Sequence, residues 1–177
     1  MSNQTIFLAR HATPDWSRTD IPYDVPPGPP LTAQGEAEAE KLGDFLAAAR
    51  VTRLFTSPLE RTQRTTAIAS QHMDGPSIRT VDAIAEWRKG ETPDEVQGRI
   101  LAFWQEVAAT NGEDGPAALV SHGGPIRLLL ESLSGDVDRI KEYCGRYDHG
   151  NPLPPAGVWR AQRKDDGIWE VDLVFTP

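Results

Sequence analysis

The hydrophobic positions along this chain recur with two different periods. Short apolar runs at Ile6 to Ala9, within Arg53 to Thr56, and at Ala117 to Val120 have the length and composition of buried strands. Between them the spacing is helical. Thr32 before Ala33 predicts an N-cap, and Ala39, Leu42, Phe45, Leu46 and Ala49 then fall on one helix face. Ser57-Pro58-Leu59-Glu60 reads as a capping box with proline at the first helical position, which predicts a helix running to about Met73. Ile78 to Ala85 predicts a third strand. Val96, Ile100, Phe103, Trp104 and Val107 mark another helix, Ile126, Leu129, Leu130 and Leu133 the next, and Val137 to Tyr147 a further one. Near the end the period becomes two. Val158 to Ala161 and Trp169 to Val174 flank Asp165-Asp166-Gly167 and predict a terminal β-hairpin.

Strands separated by helices predict an α/β fold with three α/β/α layers, a mostly parallel central sheet and a C-terminal β-hairpin. The proline-rich stretch from Pro14 to Pro30 is the one long irregular segment. With no repeat and no linker, residues 1–177 read as a single domain, long enough to bury a core without disulfides. The lone Cys144 cannot pair internally, which fits a cytoplasmic protein. No apolar run suits a membrane span, and Met1 to Ala9 lacks the charged start and long apolar core of a signal peptide. A net charge of −8 argues against nucleic acid as a partner. Any anionic ligand must therefore be held by a local cluster.

Ligands of open α/β sheets collect beyond the carboxyl ends of the strands. Arg10 and His11 end the first predicted strand, Ser57 the second and His122 the fourth, while Glu86 follows the third. A neutral imidazole is a competent nucleophile or base, and a guanidinium offers planar donors suited to phosphate. Arg61 lies one turn into the helix after Ser57, near that helix's positive pole. The set suits a phosphoryl group.

In order along the chain, these residues resemble the histidine phosphatase superfamily, which includes the cofactor-dependent phosphoglycerate mutases. Arg10-His11-Ala12 stands for the usual R-H-G. Ser57-Pro58-Leu59-Glu60-Arg61 with Thr65 matches the second signature, Asp82-Ala83-Ile84-Ala85-Glu86 the acid element, and Ser121-His122-Gly123-Gly124 the last. Leu31 to Gly35 and Gly90 to Val96 with Arg99 also match typical family segments. The resemblance spans residues 5 to about 135.

It implies the phosphoglycerate mutase-like fold and a covalent mechanism with no cofactor and no metal. His11 would attack phosphorus, Glu86 would serve as acid and then base, and His122 would complete the catalytic set. Arg10, His11, Ser17, Arg61, His122 and Gly123 would bind phosphate. The sequence departs from the family at three places: Ala12 for glycine, which requires φ below zero, Pro14 for threonine, and Ser17 for asparagine. A fourth departure concerns the active-site cover. Only Trp87-Arg88-Lys89 separates Glu86 from Gly90, where mutases carry a long insertion, and this shortening favours hydrolysis.

The expected function is a metal-independent phosphomonoesterase acting on a small phosphorylated metabolite. A phosphoglycerate mutase, a non-catalytic phosphate-binding protein, and a metal hydrolase using His11, His122 and His149 remain as alternatives. Trp16 and Tyr23 either line a substrate pocket or pack the proline-rich loop, and His149 is expected in a turn. Arg88 and Lys89 either meet a substrate anion or are solvated.

Overall fold

The computed structural model describes residues 4–110 and 115–177. The strands are β1 (Thr5–Arg10), β2 (Arg53–Thr56), β3 (Ser77–Thr80), β4 (Ala117–Ser121), β5 (Val158–Arg163) and β6 (Trp169–Phe175). The helices are α1 (Ala33–Ala48), α2 (Glu60–Ser70), α3 (Pro93–Thr110), α4 (Gly123–Ser134) and α5 (Val137–Cys144). One sheet runs in the order β3-β2-β4-β1-β5-β6. Its first four strands are parallel, and β5 and β6 form the antiparallel hairpin expected at the C-terminus.

Strand pleating divides the core in two. Ile6 and Leu8 of β1, Phe55 of β2, and Ala117 and Leu119 of β4 point to one face, where α3, α4 and α5 contribute Ile100, Trp104, Ile126, Leu129 and Ile140. Phe7, Ala9, Leu54, Ala118 and Val120 point to the other, against Leu42 and Leu46 of α1 and Ile68 of α2. Trp104 is core, as its helical spacing predicts.

Register sets the position of the site. Arg10 pairs with Ser121, so His11 and His122 leave the sheet side by side, and Thr56 pairs with Val120, which brings Ser57 to the same rim.

The helix starts need separate accounts. Thr32 caps α1, its hydroxyl accepting from Gly35 N at 3.0 Å. α1 also lies so close to the loop after β1 that a Cβ on Gly35 would sit 2.2 Å from the Thr13 carbonyl oxygen. α2 starts at Glu60 rather than at Pro58, and no capping box forms. Leu59 is extended, and the Ser57 hydroxyl accepts from Leu59 N at 3.3 Å while facing His122. The Glu60 amide donates instead to Pro27 O at 2.7 Å, so the proline-rich loop closes this helix end. α2 stops at Ser70 and α5 at Cys144, both short of the expected Met73 and Tyr147.

The predicted strand from Ile78 to Ala85 is two elements. β3 is a short, exposed edge strand, and a 3₁₀ turn at Asp82–Ile84 buries Ile84 beneath α3 and aims the chain at Glu86. Ile78, Val81, Ala83, Ile84 and Ala85 make a short, mostly apolar segment that reads as a strand, and only packing shows the turn within it.

Candidate active site

The end of β1 is fixed from three sides. His11 N donates to Ser121 O at 3.0 Å, His11 O accepts from Ala156 N at 3.1 Å, and Ala12 N donates to the Thr65 hydroxyl at 3.0 Å. That hydroxyl donates in turn to Arg61 O at 2.6 Å, joining β1 to α2. Ala12 meets the requirement on its backbone, since the non-glycine residues with positive φ are Arg50, His149 and Ala156 among those described.

His11 is buried, with Nδ1 2.8 Å from Ala12 O. A carbonyl only accepts, so Nδ1 carries the proton and Nε2 keeps its lone pair. Nε2 lies 3.4 Å from the Tyr23 hydroxyl. Burial, then the charges of Arg61 and Arg10, hold the imidazole well below its usual pKa, so the neutral form persists at neutral pH.

His122 lies 5.2 Å away, ring to ring, at the start of α4. Its Nε2 is 2.8 Å from the Ser57 hydroxyl, and its Nδ1 is 3.4 Å from Glu86 Oε2 but makes no hydrogen bond. Burial, followed by Arg61, lowers its pKa as well. Arg61 is fully buried and donates to Tyr23 O at 2.9 Å and to Glu86 Oε2 at 3.1 Å. The Nε atoms of Arg10 and Arg61 are buried and unpartnered. Unpaired buried donors are costly.

Glu86 reaches the same point from the opposite side. Its Oε1 accepts from Trp87 N at 2.9 Å, and burial raises its pKa despite the opposing pull of Arg61. Arg99 anchors this segment, donating to Ala83 O, Ala85 O and Glu86 O at 2.8–2.9 Å while paired with Glu91.

Gly123 opens α4 beside the cavity, and a Cβ there would sit 1.8 Å from Asn151 Oδ1. The helix terminus adds its positive pole to the pocket.

Arg10, His11, Glu86, Gly123 and Gly124 line a cavity of about 340 Å³, together with Trp16, Tyr23, Trp87, His149 and Asn151. Arg61 and His122 stand directly behind its wall. Ser17 is elsewhere: it is exposed, and its hydroxyl donates to Asp15 at 2.6 Å, closing a local turn. Arg88 pairs with Asp82, and Lys89 is exposed.

Asp148 carries no signal in the sequence. It grips both Nη atoms of Arg10 at 2.6 and 2.7 Å across 138 residues of chain. His149 sits in a turn with φ 51°, as expected, yet its ring also meets Trp16 at the cavity mouth.

Donor atoms of His11, Glu86 and His122 all lie within 4.8 Å of one another, and these three could ligate a metal. His149 is not in this group. A divalent cation there would compete with the Arg61 guanidinium already on Glu86 and would face Arg10 as well. The charge of the pocket suits an anion better.

Fold and pocket together define a class, and the chain belongs to it: the histidine phosphatase superfamily (branch 1), matched over residues 6–90 and 82–144. The uncharacterized phosphatase PhoE of Bacillus subtilis (strain 168) is 26% identical, covering 73% of this chain and 77% of that protein. A 2,3-bisphosphoglycerate-dependent phosphoglycerate mutase of Methylobacterium sp. (strain 4-46) is 27% identical, covering 73% and 80%. Among solved structures, mycobacterial glucosyl-3-phosphoglycerate phosphatase complexed with VO3 superposes with a TM-score of 0.79 at 16% identity, covering 98% of this chain and 100% of that one. Phosphoglycerate mutase from Bacillus anthracis str. Sterne gives 0.76 at 16%, covering 98% and 93%. These two show the shared fold.

Proposed function

We propose that the chain works as one domain and is a metal-independent phosphomonoesterase of small phosphorylated metabolites, acting through a phosphohistidine. The supporting observation is the state of His11. Its Nδ1 is committed to Ala12 O, and burial with the charges of Arg61 and Arg10 keeps the ring neutral where it lines the cavity.

In the first step His11 Nε2 bonds to phosphorus as the ester P–O bond breaks, and the proton on Glu86 passes to the leaving oxygen. Arg10, Arg61, His122 and the amide end of α4 hold the three equatorial oxygens, whose spread charge makes positioning and electrostatics the main sources of acceleration. Water then attacks phosphorus, gives its proton to Glu86, and the N–P bond breaks to release inorganic phosphate and restore both groups. Ser17 takes no part.

A mutase shares this first step but must keep water from the phosphohistidine. Between Glu86 and Gly90 stand only three residues, of which Trp87 lines the cavity wall, and a segment this short in place of the mutases' insertion favours hydrolysis. Rapid mixing with a ³²P-labelled ester, quenched without acid, should place label on His11. His11→Ala should lose both label and turnover. Full turnover in that variant would overturn the mechanism, and isomerised ester in place of free phosphate would make the protein a mutase.

A further inference from the structure

Beyond the phosphate donors, the cavity wall becomes aromatic. Trp16 stacks on Tyr23 with centroids 5.1 Å apart and planes 14° from parallel, and the His149 ring lies 5.2 Å from Trp16. Tyr23 itself rests on the Arg61 guanidinium, 3.9 Å from its ring centroid. A continuous stack thus leads from a phosphate donor to the cavity mouth, where Trp16 is 46% exposed. Trp87 lines the wall beside Gly124.

The charges near the cavity suffice for one anion. Arg10 and Arg61 provide two positive charges, Asp148 offsets part of the first, and Glu86 accepts from the second. Among the described residues no lysine lines the wall, and Arg88 is turned to Asp82. A second anionic group on the ligand, such as a carboxylate, would meet aromatic rings and the Glu86 carboxyl, with no second guanidinium and no ammonium group among the lining residues. With Tyr23 stacked between Arg61 and Trp16, a flat, uncharged ring would meet the edge of Tyr23 and the exposed part of Trp16, in the edge-to-face packing that aromatic pairs favour.

Resting on the phosphomonoesterase reading above, we infer that the preferred substrates are phosphomonoesters whose leaving group carries an uncharged aromatic ring, seated against Trp16 and Tyr23. Nucleosides and simple arylalkyl alcohols share this chemistry.

The test uses non-hydrolysable phosphonates, so that affinity is read without turnover or leaving-group reactivity. Calorimetry on the full chain would compare 2-phenylethylphosphonate, propylphosphonate and 3-phosphonopropionate. The phenyl compound should bind about tenfold more tightly than the propyl one, with the carboxylated one weakest. Trp16→Ala should shrink the phenyl advantage to less than about threefold, and Trp16→Phe should retain most of it. A phosphonate bearing a nucleobase assigns the ring to a nucleoside if it binds more tightly than the phenyl compound, and to an arylalkyl alcohol if it binds less tightly. Equal binding of phenyl and propyl compounds, or tightest binding of the carboxylated one, overturns the inference and leaves the phosphatase reading standing. Failure of the wild type to hydrolyse any phosphomonoester, with these affinities intact, overturns only the latter.

Discussion

One pocket drives His11 and Glu86 in opposite directions. Burial favours the neutral form of each, lowering the imidazole and raising the carboxyl, which is the pair of shifts that the proposed nucleophile and acid require. For an alkyl phosphate, kcat/KM should rise with pH as His11 loses its proton, below the ordinary histidine value, and fall as Glu86 ionises, above the ordinary glutamate value. An aryl phosphate, whose leaving group needs no proton, should lack the alkaline fall. Glu86→Gln should cost ~10²–10⁴-fold on the alkyl ester and much less for phosphoryl transfer from the aryl one. Equal, small losses on both would remove Glu86 from the chemistry. Arg10, His11, Glu86 and His122 were legible because each follows a strand or apolar run. Asp148 was not, since its partner is 138 residues away and a lone aspartate in a turn has no pattern. Ser17 was misread because motif position says nothing about a nearer competitor, here Asp15.

Among the elements, β1, β2 and β4 and the helices α1, α3 and α4 follow from apolar runs and spacing, while exposed β3 does not. The start of α2 was misread because one side chain had two uses. Ser57 looks like a helix cap in sequence, but its hydroxyl faces His122, and a loop carbonyl closes α2 in its place. Where α1 crosses the strand that has just delivered His11, Gly35 sets the distance. Gly35→Ala should destabilise the fold by about 1–3 kcal/mol through the clash with the Thr13 carbonyl, read as a lower denaturation midpoint with an unchanged m-value. A neutral effect would mean that the loop yields easily.

For the molecule as a whole, two buried guanidinium groups, Arg10 and Arg61, stand at one rim of an acidic protein, and on the proposed mechanism they would do the work a metal would otherwise do. Hydrolysis should survive exhaustive chelation. Loss restored by Zn²⁺, Mn²⁺ or Mg²⁺ would recast His11, Glu86 and His122 as ligands. The loop from Pro14 to Pro30 supplies neither core cluster with a fully buried side chain, yet its Tyr23 and Pro27 carbonyls hold Arg61 and the start of α2. If Arg61 binds phosphate as proposed, folding and anion capture should be separable by a single cut. A protease site inserted after Arg18, whose side chain is 45% exposed, should yield a nicked protein that melts within a few degrees of the intact one but no longer retains phosphate. Such a cut would leave the scaffold standing and disarm it.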